Sequence, residues 1–109
     1  MDKNQILTLL GKTFKGTLIQ DPILDPYFIV RYAEGGFGVM KCRTDQKGNL
    51  KFRAIGYPTN FLSGLNMIAQ EQLHGEGQSY DSIQEYISNW NEISSRILNA
   101  YKDWNVNKI

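Results

Sequence analysis

Residues 27–55 read YFIVRYAEGGFGVMKCRTDQKGNLKFRAI and decide the fold of this chain. Three runs rich in β-branched and aromatic residues are separated by two short segments that contain Gly, Asp and Asn. Such runs are typical of β-strands, and such segments are typical of tight turns between strands. The sequence therefore predicts a three-stranded antiparallel meander from Tyr27 to Ile55.

The first turn, Ala33-Glu34-Gly35-Gly36-Phe37, fits a three-residue hairpin loop in which Gly36 takes a positive φ. The length of this loop fixes which residues of the first two strands lie opposite each other. The predicted pairs are Ala33 with Phe37, Val30 with Met40, and Phe28 with Cys42.

The second turn, Asp45-Gln46-Lys47-Gly48-Asn49, fits a type I turn followed by a left-handed residue. Asp suits the first position of such a turn, and Gly48 suits the left-handed position. The predicted pairs between the second and third strands are Thr44 with Leu50, Cys42 with Phe52, and Met40 with Ala54.

These registers sort the side chains of the meander onto two faces, because successive side chains of a strand alternate across the sheet. The face that we call the core face is almost wholly apolar and holds Phe28, Val30, Tyr32, Met40, Cys42, Leu50, Phe52 and Ala54. The opposite face, which we call the outer face, holds the cations Arg31, Lys41, Arg43, Lys51 and Arg53 and the apolar residues Tyr27, Ile29, Phe37, Val39 and Ile55.

The outer face is the candidate binding site because it carries an avoidable cost. Arg43 is predicted to lie opposite Lys51, and Lys41 opposite Arg53. Like charges directly across a strand pair destabilise it by up to about 1 kcal/mol each, and by less when they are solvated. The predicted binding residues are Arg31, Lys41, Arg43, Lys51, Arg53, Tyr27 and Phe37. The alternative interpretation is the ordinary wet side of a half-buried antiparallel sheet.

The rest of the chain predicts an α+β domain. Residues 2–10 fit a short helix or a strand, and residues 13–19 fit a further strand. A helix follows Thr59, its predicted N-cap, and a last helix spans about residues 82–104. The last helix carries a continuous apolar stripe, which we expect to cover the core face. The predicted architecture is an antiparallel sheet of three or four strands, with two C-terminal helices packed on one face. The stripe consists of Ile83, Tyr86, Ile87, Trp90, Ile93, Ile97, Tyr101 and Trp104.

Size and composition predict one domain, residues 1–109, in a reducing compartment such as the cytoplasm. A single cysteine, Cys42, rules out an intramolecular disulfide. The apolar run from Ile6 to Leu10 is too short for a signal peptide, and no run approaches the length of a membrane span. Residues 1–55 carry nine Lys or Arg against five Asp or Glu, whereas residues 56–109 carry three against six. The sheet half is therefore basic and the helical half acidic.

The residues with catalytic potential point away from an enzyme. His74 is the only histidine, Cys42 is predicted on the core face, and no paired carboxylates suggest acid–base chemistry. The run from Glu34 to Val39 is glycine-rich, but a strand rather than a helix follows it, so it does not fit a dinucleotide-binding loop. The sequence predicts a protein without catalytic residues, metal or cofactor.

The hairpin, the following strand and Gly56-Tyr57-Pro58-Thr59, which opens a helix with Leu62 and Leu65, resemble small phage and mobile-element proteins of unknown function. The resemblance covers about residues 27–73 and transfers no catalytic residue. It implies a small accessory or host-interaction protein, or an inhibitor that acts by binding.

The expected function is therefore that of a small binding protein that uses the mixed basic and apolar outer face. A protein partner is favoured over nucleic acid, because the net charge is only +1 and dedicated nucleic-acid binders are usually more basic. A nucleic-acid-binding module that uses the same face is the first alternative. A homo-oligomer, such as a homodimer, that buries the apolar part of this face is the second.

Overall fold

The computed structural model describes residues 3–75 and 77–107 and has the predicted α+β class. The four strands form one antiparallel sheet in the order β1-β2-β3-β4, which confirms the larger of the two predicted strand numbers. None of the described helices is long and apolar enough to cross a membrane. The elements are α1 Lys3–Leu10, β1 Gly16–Ile19, a 3-10 turn Pro22–Leu24, β2 Tyr27–Tyr32, β3 Phe37–Thr44, β4 Leu50–Gly56, α2 Phe61–His74 and α3 Ile83–Asn107.

The chain divides into two compact units, Met1–Gly64 and Leu65–Ile109. The boundary falls inside α2, so the first turn of α2 belongs to the sheet unit. The expectation that residues 1–109 form a single domain stays a prediction.

The core face of the sheet is packed against α1, for which the sequence left helix and strand open. Ile6 of α1 is fully buried and belongs to one cluster with buried residues of the core face, and Leu10 packs against this cluster. Gly11, at φ +90°, ends α1 with its N–H donating to the carbonyl of Leu7 (3.2 Å). The cover that was expected from the last helix is thus provided by the first helix. The buried members of the cluster are Ile6, Phe28, Val30, Met40 and Cys42, with Phe14, Leu18, Tyr32, Leu50 and Phe52 packed around them.

The register of β3 with β4 is as predicted, whereas the register of β2 with β3 is shifted by two residues. Phe28 pairs with Met40 rather than with Cys42. The reason lies in the first turn, where both Gly35 (φ +110°) and Gly36 (φ +84°) are left-handed and the N–H of Tyr32 donates to the carbonyl of Gly36 (3.1 Å). A shift of two residues leaves every side chain on its predicted face, because the side-chain period of a strand is two.

The outer face is covered at its centre by the first turn of α2. Ile29 and Val39 are fully buried. A Cβ atom placed on Gly64 would lie 3.5 Å from side-chain carbons of both residues. Ordinary van der Waals contact would therefore begin one carbon beyond the helix backbone, so the helix approaches the sheet closely here.

The start of α2 is fixed by Asn60 and not by Thr59, the predicted N-cap. The backbone N–H of Ser63 donates to Oδ1 of Asn60 (2.8 Å), which is the N-cap hydrogen bond. Phe61 follows directly, and its ring lies 6.2 Å from that of Phe37, centroid to centroid. The cap and this ring contact together anchor the first turn of α2 on the outer face.

In the second unit, α3 begins as its sequence predicts and exposes part of its apolar stripe. The Oγ of Ser82 accepts from the N–H of Glu85 (3.0 Å), while the Glu85 carboxylate accepts from the N–H of Asp81 (2.9 Å). Ile97 is buried as expected, but Ile83 is 79% exposed. The expectation that the whole stripe is core is therefore wrong, because the buried side of the helix is narrower than the stripe. The side chain of Trp104 lies outside the described residues.

Substitution of Gly64 tests the close approach of α2 to the outer face. Gly64→Ala is expected to raise the free energy of unfolding by up to about 1 kcal/mol, because alanine favours helix and its methyl group meets only ordinary contacts. Gly64→Leu is expected to lower it by about 1–3 kcal/mol, because the larger side chain must displace Ile29 or Val39. Urea denaturation measures both effects.

The control is Asn66→Leu, which places leucine at an exposed position of the same helix. If Gly64→Leu and Asn66→Leu had the same effect on stability, the packing of α2 on the outer face would be refuted.

Candidate cationic interface on the sheet

The opposed like charges that the sequence predicts are present in the structure. Lys41 pairs with Arg53, and Arg43 pairs with Lys51, in neighbouring positions of the β3–β4 ladder. Arg43, Lys51 and Arg53 are exposed, and Lys41 is half-buried. The two unfavourable pairs therefore lie side by side at the margin of the outer face, where solvent reduces but does not remove their repulsion.

Two of the cations rest on aromatic rings of the same face, as a consequence of the shifted β2–β3 register. Arg31 pairs with Phe37, and its Cζ lies 5.0 Å from the centroid of the Phe37 ring. Lys41 pairs with Tyr27, and its Nζ lies 5.7 Å from the centroid of the Tyr27 ring. A cation above an aromatic ring is attracted to it by about 0.5–1 kcal/mol at an exposed site. These contacts orient both cations on the surface.

The aromatic candidates Tyr27 and Phe37 have a supporting position rather than an exposed one. Tyr27 is only 3% exposed. Phe37 is half-buried, with Arg31 over its ring and the Phe61 ring beside it. Neither ring offers a free face on which a nucleic-acid base would stack. Their part in a binding site would be to hold the cations above them.

The outer face is cationic on its surface and not mixed, which corrects the expectation from the sequence. Its central apolar members, Ile29 and Val39, are fully buried, and Ile55 is half-buried. A bulge at Val39 and Met40 pairs Val39 with Gly56 and leaves Ile55 without a direct partner on β3. We call the five cations that remain at the margin the cationic surface. It consists of Arg31, Lys41, Arg43, Lys51 and Arg53.

Only one member of the cationic surface is neutralised within the described residues. Lys51 Nζ lies 3.8 Å from Oδ2 of Asp45, and the Lys51 side chain is still 57% exposed. In the part of the chain that the structure describes, no salt bridge involves the other four cations. Arg31 instead donates to the carbonyl of Gly36 (3.4 Å). The surface therefore keeps most of its charge available.

Asp45 shapes the turn beside this surface and remains ionised. Its Oδ1 accepts hydrogen bonds from the N–H groups of Asn49 and Lys47, both at 2.9 Å, and Gly48 takes the predicted left-handed conformation at φ +82°. These bonds, foremost that from Asn49, hold the pKa of Asp45 below its usual value, and the charge of Lys51 acts in the same direction. The anion thus fixes the turn and the position of Lys51.

The other residues with chemical potential do not assemble into a site on this face. Cys42 is buried in the core cluster, and burial raises the pKa of its thiol, which lowers the fraction present as reactive thiolate. His74 lies within hydrogen-bonding distance of the Tyr86 hydroxyl, 2.5 Å from its Nε2. Among the described residues, no group of three or more His, Cys, Asp or Glu could hold a metal ion.

Comparisons with protein-family models, with curated proteins and with solved structures find no match to this chain. The resemblance to small phage and mobile-element proteins therefore stays a prediction. The functional argument rests on the geometry of the cationic surface.

Replacing Arg53 by glutamate is expected to stabilise the protein. Arg53→Glu would turn the repulsive pair with Lys41 into an attractive one and would raise the free energy of unfolding by roughly 0.5–1 kcal/mol. The gain should shrink at high salt, because ions screen exposed charges. Urea denaturation at low and high salt measures this.

The control is Lys12→Glu, which makes the same change of charge at an exposed position outside the strands. A loss of stability in Arg53→Glu, or an equal gain in Lys12→Glu, would contradict the predicted repulsion between Lys41 and Arg53.

Proposed function

We propose that this protein is a small non-enzymatic binding protein that docks its cationic surface onto an acidic surface of a protein partner. The observation that carries the proposal is the pair of adjacent like-charged contacts, Lys41 with Arg53 and Arg43 with Lys51. Their repulsion costs stability in the free protein and would be relieved by an anionic partner. The partner would thus bind with energy that the isolated sheet cannot recover by itself.

The spacing of the cations indicates the kind of acidic surface that would fit. Residues directly opposite on antiparallel strands have Cα atoms about 4.5–5.5 Å apart. The two pairs are separated by two residues along each strand, which corresponds to about 7 Å. Carboxylates on one side of a strand repeat at the same distance, and those one turn apart on a helix lie about 5–6 Å apart. A partner element with regularly spaced Asp or Glu would meet two or more cations at once.

A protein partner is preferred to nucleic acid for two reasons. The rings of Tyr27 and Phe37 are occupied by packing, so base stacking has no platform among the predicted binding residues. The net charge of the chain is +1, whereas nucleic-acid-binding domains usually carry a larger positive excess. The resemblance to phage and mobile-element proteins adds a context, in which binding would serve an accessory or inhibitory role in a host cell.

Two competing explanations give the cations no partner of this kind. The edge strand β4 carries Lys51 and Arg53, and charged side chains on an edge strand prevent pairing with other sheets. That role would not require cations on β3 as well, which is where Lys41 and Arg43 lie. A homo-oligomer formed by the apolar part of the outer face would lack its central contacts, since Ile29 and Val39 are buried.

Binding to defined anionic probes tests the proposal. We expect the wild type to bind a fluorescent poly-glutamate peptide at low salt, with an affinity that falls as salt is added. Arg43→Glu/Arg53→Glu is expected to weaken this binding at least tenfold, about 1.4 kcal/mol, because it reverses one charge in each opposed pair. Fluorescence anisotropy measures the affinities, and circular dichroism confirms that both proteins are folded.

The matched control is Lys12→Glu/Lys15→Glu, which makes the same change in net charge at exposed positions outside the cationic surface. Equal losses in the two double variants would mean that net charge alone drives binding, and this would refute the assigned surface. Preferential binding to duplex DNA or single-stranded RNA would replace the protein partner by nucleic acid. An absence of binding to all probes at low salt would reject the proposal.

A further inference from the structure

The exposed side of α3 carries a line of large apolar side chains that the cationic surface does not explain. Their exposed fractions are 79% for Ile83, 51% for Ile87, 38% for Trp90 and 45% for Leu98. The four residues fall on one side of a helix with 3.6 residues per turn, and we call them the α3 stripe. Aligned apolar side chains in water are unfavourable and typically mark an interface.

Trp90 is held in place by its neighbours within the second unit. Its ring lies 6.4 Å from that of His74, and the His74 ring lies 5.6 Å from that of Tyr86. Tyr80 packs edge-on against Tyr86 at 5.2 Å and donates its hydroxyl proton to the carbonyl of Leu73 (2.7 Å). A supported tryptophan loses little conformational freedom on binding and is the residue type most often central to protein interfaces.

The order of residues along the α3 stripe is complementary to itself in the antiparallel direction. Trp90 and Ser94 lie two residues on either side of Glu92, and Ile87 and Leu98 lie five and six residues away. A twofold axis that crosses α3 at the level of Glu92 would place Trp90 against Ser94 of a second copy. It would likewise place Ile87 against Leu98 of that copy. The large ring would thus meet a small side chain, and an isoleucine would meet a leucine.

The charges of α3 favour the same direction. Asp81 and Glu85 lie at its start, whereas Arg96 and Lys102 lie in its second half. Antiparallel packing brings the acidic start of one helix near the basic half of the other and also aligns the helix dipoles favourably. Parallel packing would bring like charges together. A C2 dimer of this kind uses one self-complementary patch on both subunits.

From these observations we propose that the protein forms an antiparallel homodimer through the α3 stripe. The stripe spans about 22 Å of helix axis at 1.5 Å per residue and is about one helix, or 10 Å, wide. This face is smaller than the roughly 800 Å² per partner that a standard stable interface buries. The dimer is therefore expected to dissociate on dilution in the micromolar range. It leaves the cationic surface to its separate role.

Sedimentation equilibrium of the full chain over a range of concentrations tests the dimer. The wild type is expected to change from its monomer mass of 12.5 kDa to twice that mass as concentration rises. Ile87→Glu/Leu98→Glu is expected to remain monomeric over the same range. The control, Ser88→Glu/Asn99→Glu, introduces the same charges at the same spacing on the other side of α3 and is expected to dimerise like the wild type. Circular dichroism verifies that each variant is helical.

A wild type that stays monomeric at the highest concentration would overturn the proposal. So would a dimer that survives Ile87→Glu/Leu98→Glu, or one that the control variant abolishes equally. The direction of the helices is tested by a spin label on Gln84→Cys in a Cys42→Ser background. An antiparallel pair separates the two labels by about 24 Å along the axis, whereas a parallel pair places them side by side and would refute the arrangement.

Discussion

The packing of the first turn of α2 against Ile29 and Val39 is the contact on which the rest of the sheet unit depends. The sheet has apolar side chains at the centre of both faces, so each face needs cover. α1 covers the core face through Ile6, and the turn at Gly64 covers the centre of the outer face. Glycine at that position lets a helix backbone lie one carbon away from the sheet side chains. Without this contact, two β-branched residues would be exposed among cations.

This packing explains why the surviving surface is electrostatic. Once the apolar centre is buried, what remains in water is a margin of cations, two of them set on the rings of Phe37 and Tyr27. The rings hold Arg31 and Lys41 by the attraction between a cation and an aromatic ring, which lets these side chains stay charged and oriented without an acidic neighbour. The opposed pairs on β3 and β4 keep their repulsion. A surface that is both oriented and repulsive is suited to an anionic partner.

How much the sequence predicts differs between the two hairpins, for a reason that lies in their turns. The second hairpin follows from Asp45 and Gly48, since an Asp that accepts backbone N–H groups and one left-handed Gly define a single turn type. The first hairpin has two adjacent glycines, and both are left-handed, so the loop length was not determined by the residues. The error of two residues preserved the faces but hid the contact of Arg31 with Phe37 and of Lys41 with Tyr27.

Helix covers were harder to predict than strand faces. A strand shows its two faces by alternation, whereas an apolar helix stripe does not indicate which partner covers it or how much of its width is buried. The burial of Ile97 and the exposure of Ile83 within one stripe illustrate this limit. The same limit applies to the outer face. Alternation placed Ile29 and Val39 correctly, but only tertiary packing decides that they are buried.

Nuclear Overhauser effects in the free protein test the central claim most directly. The account predicts cross-peaks between the Hα protons of Gly64 and the methyl groups of Ile29 and Val39, because a carbon on Gly64 would lie 3.5 Å from both side chains. It also predicts cross-peaks between the ring protons of Phe37 and Phe61, whose ring centroids are 6.2 Å apart. If these cross-peaks were absent and the Ile29 and Val39 methyl groups exchanged magnetisation with water, the outer face would be open and apolar, and the account would be contradicted.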